Sequence, residues 1–177
     1  YVDHRALHSF PTRRSSDLAI ADATFSLNFI DSARGITSDT INYSFELFGL
    51  TNESLDGWGE NSITWDNSPS RVYTNADGLA SLGTFSLTGK GLGAFDFTSQ
   101  AFVDFLNSDT NDIATLVLAR TTNQIGDNNY IHAVASRENT AVAGPRLAVT
   151  PIPEPSTLLL LGAGLVGIGL IGRRKRN

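Results

Sequence analysis

An all-β fold, an antiparallel sandwich of jelly-roll type with one short helix, is what this sequence predicts, and three observations predict it. Apolar and polar residues alternate with a period of two along much of residues 19–150, the pattern of strands with one face in a core. The stretches between them are rich in Gly, Asn, Asp, Ser and Thr, which form turns at little steric cost. One stretch, Ser99–Leu106, changes to helical spacing. Many short strands with a single helix indicate a sandwich, and a single transmembrane helix is expected to follow it at the C-terminus.

In Ala23–Ile30, Phe25, Leu27 and Phe29 share one face and Thr24, Ser26 and Asn28 the other. In Ile41–Leu47, Ile41, Tyr43, Phe45 and Leu47 alternate with Asn42, Ser44 and Glu46. Further strands are expected at Ile63–Trp65, Leu82–Leu87, Ala94–Phe97, Ile113–Ala119, Tyr130–Ala135 and Arg146–Thr150. The helix places Ala101, Phe102, Phe105 and Leu106 on one face, with Thr98 or Ser99 available as N-cap, and is expected to pack across an end of the sheets.

Charge is unevenly placed. Residues 19–150 hold 15 Asp/Glu against 6 Lys/Arg, about −9, and the flanking segments hold 3 against 7, or +4, which gives the total of −5. An acidic body without a basic stripe argues against a nucleic-acid partner, whose phosphates require Lys and Arg. The chain has no cysteine, which excludes a disulfide framework, thiolate zinc sites and cysteine nucleophiles. It also has no methionine, and residues 1–18 contain basic residues without the apolar core of a signal peptide. His8–Leu18 resembles one reading frame of a sequencing adapter. Residues 1–18 are therefore expected to be an artefact or a disordered arm outside the fold, on a chain that begins within a longer gene.

The run from Gly49 to Pro69, with Trp58, Glu60, Ile63, Thr64, Trp65 and Pro69, resembles the Trp-x-Glu-x-x-Ile-Thr-Trp-x-x-x-Pro signature of DNRLRE domains. Ser136-Arg137-Glu138 and Gly144-Pro145-Arg146-Leu147 are similar to the closing elements of that family. The resemblance covers residues 19–150, without the family's usual earlier portion. It implies a sandwich, and, since some members are carbohydrate-binding modules, association with exopolysaccharide.

Residues 151–177 form the third segment. Three prolines at 151, 153 and 155 can sustain neither ladder nor helix, which predicts an extended, exposed linker. Leu158–Ile171 then runs 14 residues without a polar side chain, and Arg173, Arg174, Lys175 and Arg176 close it. From Thr157 to Gly172 a helix would span roughly 24 Å against a hydrocarbon core of ~30 Å. Length alone leaves a buried core helix open. The four terminal cations favour a membrane anchor through Leu158, Leu161, Leu165, Ile168 and Ile171, with the body outside and the C-terminus in the cytoplasm. The order Pro153-Glu154-Pro155, apolar span, basic cluster resembles the PEP-CTERM sorting signal. That resemblance implies recognition by an exosortase in the inner membrane of a Gram-negative bacterium, and delivery of the body to the cell surface or extracellular matrix. A plain anchor that is never cut is the alternative.

Catalysis has little support in the residues. His132 is the one histidine after residue 18, in a strand-like stretch, and no carboxylate pair, phosphate loop or nucleophile elbow stands out. No cofactor is expected, with calcium as the one candidate. Asn107, Asp109, Asn111 and Asp112 alternate oxygen-bearing side chains that could wrap this hard cation, yet the run lacks the sixth-position glycine and distal glutamate of an EF-hand loop. A polar turn after the helix is the simpler reading. Trp58, among glycines, is the candidate sugar contact, whereas Trp65 shares the Ile63 face and is expected in the core. Glu60, Arg137 and Glu138 are expected to make structural ion pairs. The expected function is thus that of an exported, non-enzymatic surface or matrix protein associating with exopolysaccharide, or alternatively a structural or adhesive scaffold without a glycan ligand.

Overall fold

The computed structural model describes residues 5–11 (backbone only), 19–32, 40–59, 61–64, 68, 78–122 and 132–152. They form two antiparallel sheets and one short helix. In chain order the strands are β1 (Arg5–Pro11), β2 (Ile20–Ile30), β3 (Asn42–Leu50), β4 (Leu79–Thr88), β5 (Gly93–Phe97), β6 (Ile113–Arg120), β7 (Ala133–Val134) and β8 (Arg146–Pro151), with helix α1 (Gln100–Ser108) between β5 and β6. One sheet has the order β1-β6-β3-β4. In the other, β2 lies between β5 on one edge and β7 and β8 on the other.

Alternation in the sequence becomes alternation in burial. Ala23, Phe25, Leu27 and Phe29 of β2, Tyr43, Phe45 and Leu47 of β3, and Ala114, Leu116 and Leu118 of β6 meet in one apolar core between the sheets. Phe29 of one sheet lies edge-on to Phe45 of the other with centroids 5.6 Å apart, and Phe85 stacks on Phe95 at 4.1 Å. Burying such rings contributes about 1.5–3 kcal/mol each, which lets a core of this kind hold two sheets together without a covalent staple.

Strand β6 departs from simple alternation because its residues from Ala114 to Ala119 are buried on both faces. Its second face packs Val117 against Leu50 and Leu79 in a smaller cluster with Phe48. A strand covered on both sides also needs partners along both edges for its N–H and C=O groups. β3 supplies one, and β1 supplies the other in a register from Arg5 opposite Ala119 to Pro11 opposite Ile113. Arg5–Pro11, expected outside the fold, is thus a strand of it.

Helix α1 forms where its sequence predicts, but Ala101, expected on the apolar face, is exposed and Val103 is buried in its place. Ser99, extended at φ −162°, caps it by accepting from the Phe102 N–H at 3.0 Å, and its hydroxyl donates to the Leu82 carbonyl at 2.6 Å. Phe102, Val103, Phe105 and Leu106 face the core, so the helix lies against β2 and β4.

Two expectations shift. Ile63 and Thr64 carry no strand, because Ser62 N–H and Ile63 N–H both close a turn on the Gly59 carbonyl, while Trp65 lies outside the described residues. The folded body runs slightly beyond Thr150, since Pro151 pairs with Ile20 and Ile152 N–H donates to the Ala19 carbonyl at 2.7 Å. Among the described residues no helix is long and apolar enough to cross a membrane. The anchor expected at Leu158, Leu161, Leu165, Ile168 and Ile171 lies outside them, as do Pro153, Glu154, Pro155 and the basic cluster Arg173–Arg176.

Candidate functional site

The residues with the most polar chemistry meet at one place, where the segment after β3 crosses the loop after α1. Gly78, at φ +82°, offers its carbonyl to Thr51 N–H and Thr51 Oγ1 and so fixes where that segment starts. Asn52 then caps a short 3-10 turn at Glu53–Leu55 by accepting from Ser54 N–H at 3.2 Å. Two side chains of the turn grip the loop. Both carboxylate oxygens of Glu53 accept from Thr110, from its N–H at 2.8 Å and its hydroxyl at 2.6 Å. Asp56, 5% exposed, accepts from Asn111 Nδ2 at 3.2 Å through Oδ2. Two residues on, the half-buried Trp58 donates its indole N–H to Thr115 Oγ1 at 3.3 Å, on the outer face of β6.

The four candidate calcium residues do not stay together as a set. Asn107 turns away, accepting from Ile20 N–H at 2.8 Å and donating to the Ile20 carbonyl at 3.0 Å, and so ties the helix end to the start of β2. Asp109 ends the helix and is buried. Asn111 Oδ1 accepts from Ile113 N–H at 2.9 Å, which shapes the turn into β6, and Asp112 sits in the left-handed region at φ 61°. Among the described residues no three His, Asp or Glu side chains stand together as a metal-binding group. Asp56, absent from the sequence-based candidates, faces this loop from 55 residues away in the chain.

Hydrogen bonding by the Thr110 side chain and then its backbone holds the Glu53 carboxyl below its ordinary pKa. With the folded value depressed, the grip on Thr110 is complete above the ordinary carboxylate value and is lost as pH falls through the lower, folded one. The Thr110 amide shift is therefore expected to titrate with an inflection on the acid side of an ordinary glutamate, and Glu53→Gln to abolish that inflection. An inflection unchanged in the variant would remove Glu53 as its source.

His132 has a structural setting. Its ring packs against Phe29, Tyr43 and Phe45, with Nε2 placed to donate to the Gly89 carbonyl at 2.9 Å. Nδ1 then accepts from Arg120 Nη1 at 3.4 Å, and burial keeps the pKa of that guanidinium below its ordinary value. The exposed pair Arg137–Glu138 forms at 3.1 Å, as does Lys90–Asp31 at 2.8 Å, while Glu60 lies outside the described residues. Lys90, first by hydrogen bonding and then by its charge, lowers the Asp31 pKa.

Comparison with known proteins assigns the tail. Residues 151–176 match the PEP-CTERM protein-sorting motif, and this match supports exosortase-targeted export of the chain with membrane-anchored processing. No curated protein sequence matches the chain. Among solved structures, a recombinantly expressed latent aurone synthase (polyphenol oxidase) is similar at 15% identity over 86% of this chain and 24% of that one, with a TM-score of 0.39. The latent aurone synthase from natural source is similar at 16% identity over 86% of this chain and 25% of that one, with a TM-score of 0.38. The chain spans about a quarter of the length of those proteins, and similarity at these TM-scores carries no argument about fold or activity.

Proposed function

We propose that this chain is a non-enzymatic cell-surface or extracellular-matrix protein of a Gram-negative bacterium. An inner-membrane helix at Leu158–Ile171 holds it until an exosortase processes the tail near Pro153–Pro155, and the sandwich then associates with exopolysaccharide. The observation that carries this reading is the sorting-motif match from residue 151, where β8 ends. Ile152, just past the end of β8, is 48% exposed, so the strand that opens the motif ends at the surface, within reach of a processing enzyme.

The body is proposed to be a jelly-roll-type DNRLRE-like domain, and one contact supports that assignment. A side chain at Gly144 would lie 2.7 Å from the Ser136 carbonyl and 2.8 Å from Arg137 Cα, so the two closing elements of the resemblance touch and require glycine where they do. Trp58 is the proposed sugar contact. Its indole is oriented by Thr115, and a side chain added at the neighbouring Gly57 would meet nothing within 4 Å, so the loop beside it is open. One observation favours a scaffold without a glycan ligand instead: the Trp58 N–H, a donor a sugar would use, is already taken.

The test has two arms. Behind an export signal in an exosortase-bearing host, the wild-type chain is expected to be processed and to leave the inner membrane. Replacing Pro153, Glu154 and Pro155 together with Ala is expected to leave it there at full mass, and equal processing of both would overturn the sorting reading. In a pull-down with host exopolysaccharide, Trp58→Ala is expected to lose most of the bound protein. No retention of either form would leave the scaffold reading standing.

A further inference from the structure

Asp56 is in an environment that its protein neighbours do not complete. The residue is 5% exposed, Oδ2 has the Asn111 amide, and Oδ1 is buried without any hydrogen-bond partner. No ion pair among the described residues reaches it. Taking a carboxylate out of water costs several kcal/mol unless donors or a cation replace the lost hydration. The loop that reaches it through Asn111 also holds a second buried acid. Asp109 is 9% exposed, and the backbone reverses at Asp112 in the left-handed region. Glu53 pins the same loop through Thr110.

We propose that Asp56 and the 109–112 loop bind a hard divalent cation, calcium. Asp56 Oδ1 is the anchoring ligand, and Asp109, Asn111 and loop carbonyls contribute to the oxygen shell. The donor chemistry selects the metal: among the described residues the neighbourhood has carboxylate, amide and carbonyl oxygen, and the chain has no cysteine, which suits Ca²⁺ and not zinc or copper. Three acidic side chains do not converge there, so much of the shell must be neutral oxygen or water. Such a shell implies weak binding, on the order of 10⁻⁴–10⁻³ M as in extracellular modules. The bound ion would join the 3-10 turn to the loop and so steady the segment that carries Trp58. Neither exosortase processing nor sugar binding is needed for this site to exist.

The test uses the full chain in detergent micelles. Calcium at several times its Kd is expected to raise Tm by about 2–4 °C over chelator, with magnesium clearly less effective. Terbium luminescence excited through tryptophan should appear on titration, since Trp58 lies two residues from Asp56, and calcium should displace it. Asp56→Asn, which keeps the shape, is expected to abolish the calcium shift and weaken terbium binding at least tenfold. Asp22→Asn, at an exposed acid on β2, is expected to keep both. An absent calcium shift in the wild type, or an undiminished one in Asp56→Asn, would overturn the site. Should that variant not fold, terbium affinity in Asn111→Ala decides: at least a tenfold loss sustains the proposal, and wild-type affinity ends it.

Discussion

Replacing Phe25 with Ala is expected to destabilise the sandwich by about 3–5 kcal/mol, a large share of the 5–15 kcal/mol that holds a typical domain together. Phe25 is 0% exposed and sits on β2, the strand that organises its sheet. It lies opposite Phe97 of β5 on one side and Leu147 of β8 on the other. Truncation therefore removes the ring from water-free packing and leaves a cavity where three strands and the main core meet. The urea midpoint is expected to fall with little change in slope, because the surface exposed on unfolding is nearly the same. Phe25→Leu, which keeps most of the volume, is expected to cost about 1.5 kcal/mol or less. A loss below 1 kcal/mol for the alanine variant would mean that β2 is not central to the fold.

Gly78→Ala is the second large effect, expected at about 2–5 kcal/mol. At φ +82° an L side chain is strained by roughly 1–2 kcal/mol, and the added Cβ would lie 2.6 Å from Asn52 Cβ and 2.9 Å from Asn52 N. Neither of those atoms is the end of a flexible side chain, so the segment itself must move, at a further cost of about 1–3 kcal/mol. Asn52 caps the turn that holds Glu53 and Asp56, so the same substitution is expected to loosen the grip on Thr110 and Asn111. Gly57→Ala provides the contrast, with nothing within 4 Å of the added atom and an expected change within about 0.5 kcal/mol. The two variants, compared by denaturant unfolding and Trp58 emission, separate a backbone requirement from mere proximity to the site.

What the sequence makes legible is whatever repeats locally. β2 and β3 are readable because Phe25, Leu27 and Phe29, and Tyr43, Phe45 and Leu47, each report one buried face. Ser99 is readable because capping is a contact within one turn of helix. Ile63 misleads for the same reason: an apolar residue between polar ones satisfies a period-two pattern, while its backbone is spent on the Gly59 turn. β1 carries no alternation strong enough to mark it, and its place depends on an open edge of β6 more than a hundred residues away. The polar site is hidden in the same manner. Asn107 and Asn111 look equivalent along the chain, but one ends on the backbone of Ile20 and the other on Asp56. No spacing rule connects Asp56 to that loop, and only the crossing of two connections does so.

The end of the sandwich at Ile152 has a mechanical side. For a body tethered through its tail, drag on the body enters the fold through β8. That strand is mostly exposed and pairs with β2 from Arg146 opposite Ser26 to Pro151 opposite Ile20, so backbone hydrogen bonds rather than buried side chains resist the load. A pull along the strand shears those bonds together. A pull across it breaks the Ile152–Ala19 bond first and peels the rest in turn. For a body so tethered, its orientation relative to the pull thus sets the force at which its last strand lets go.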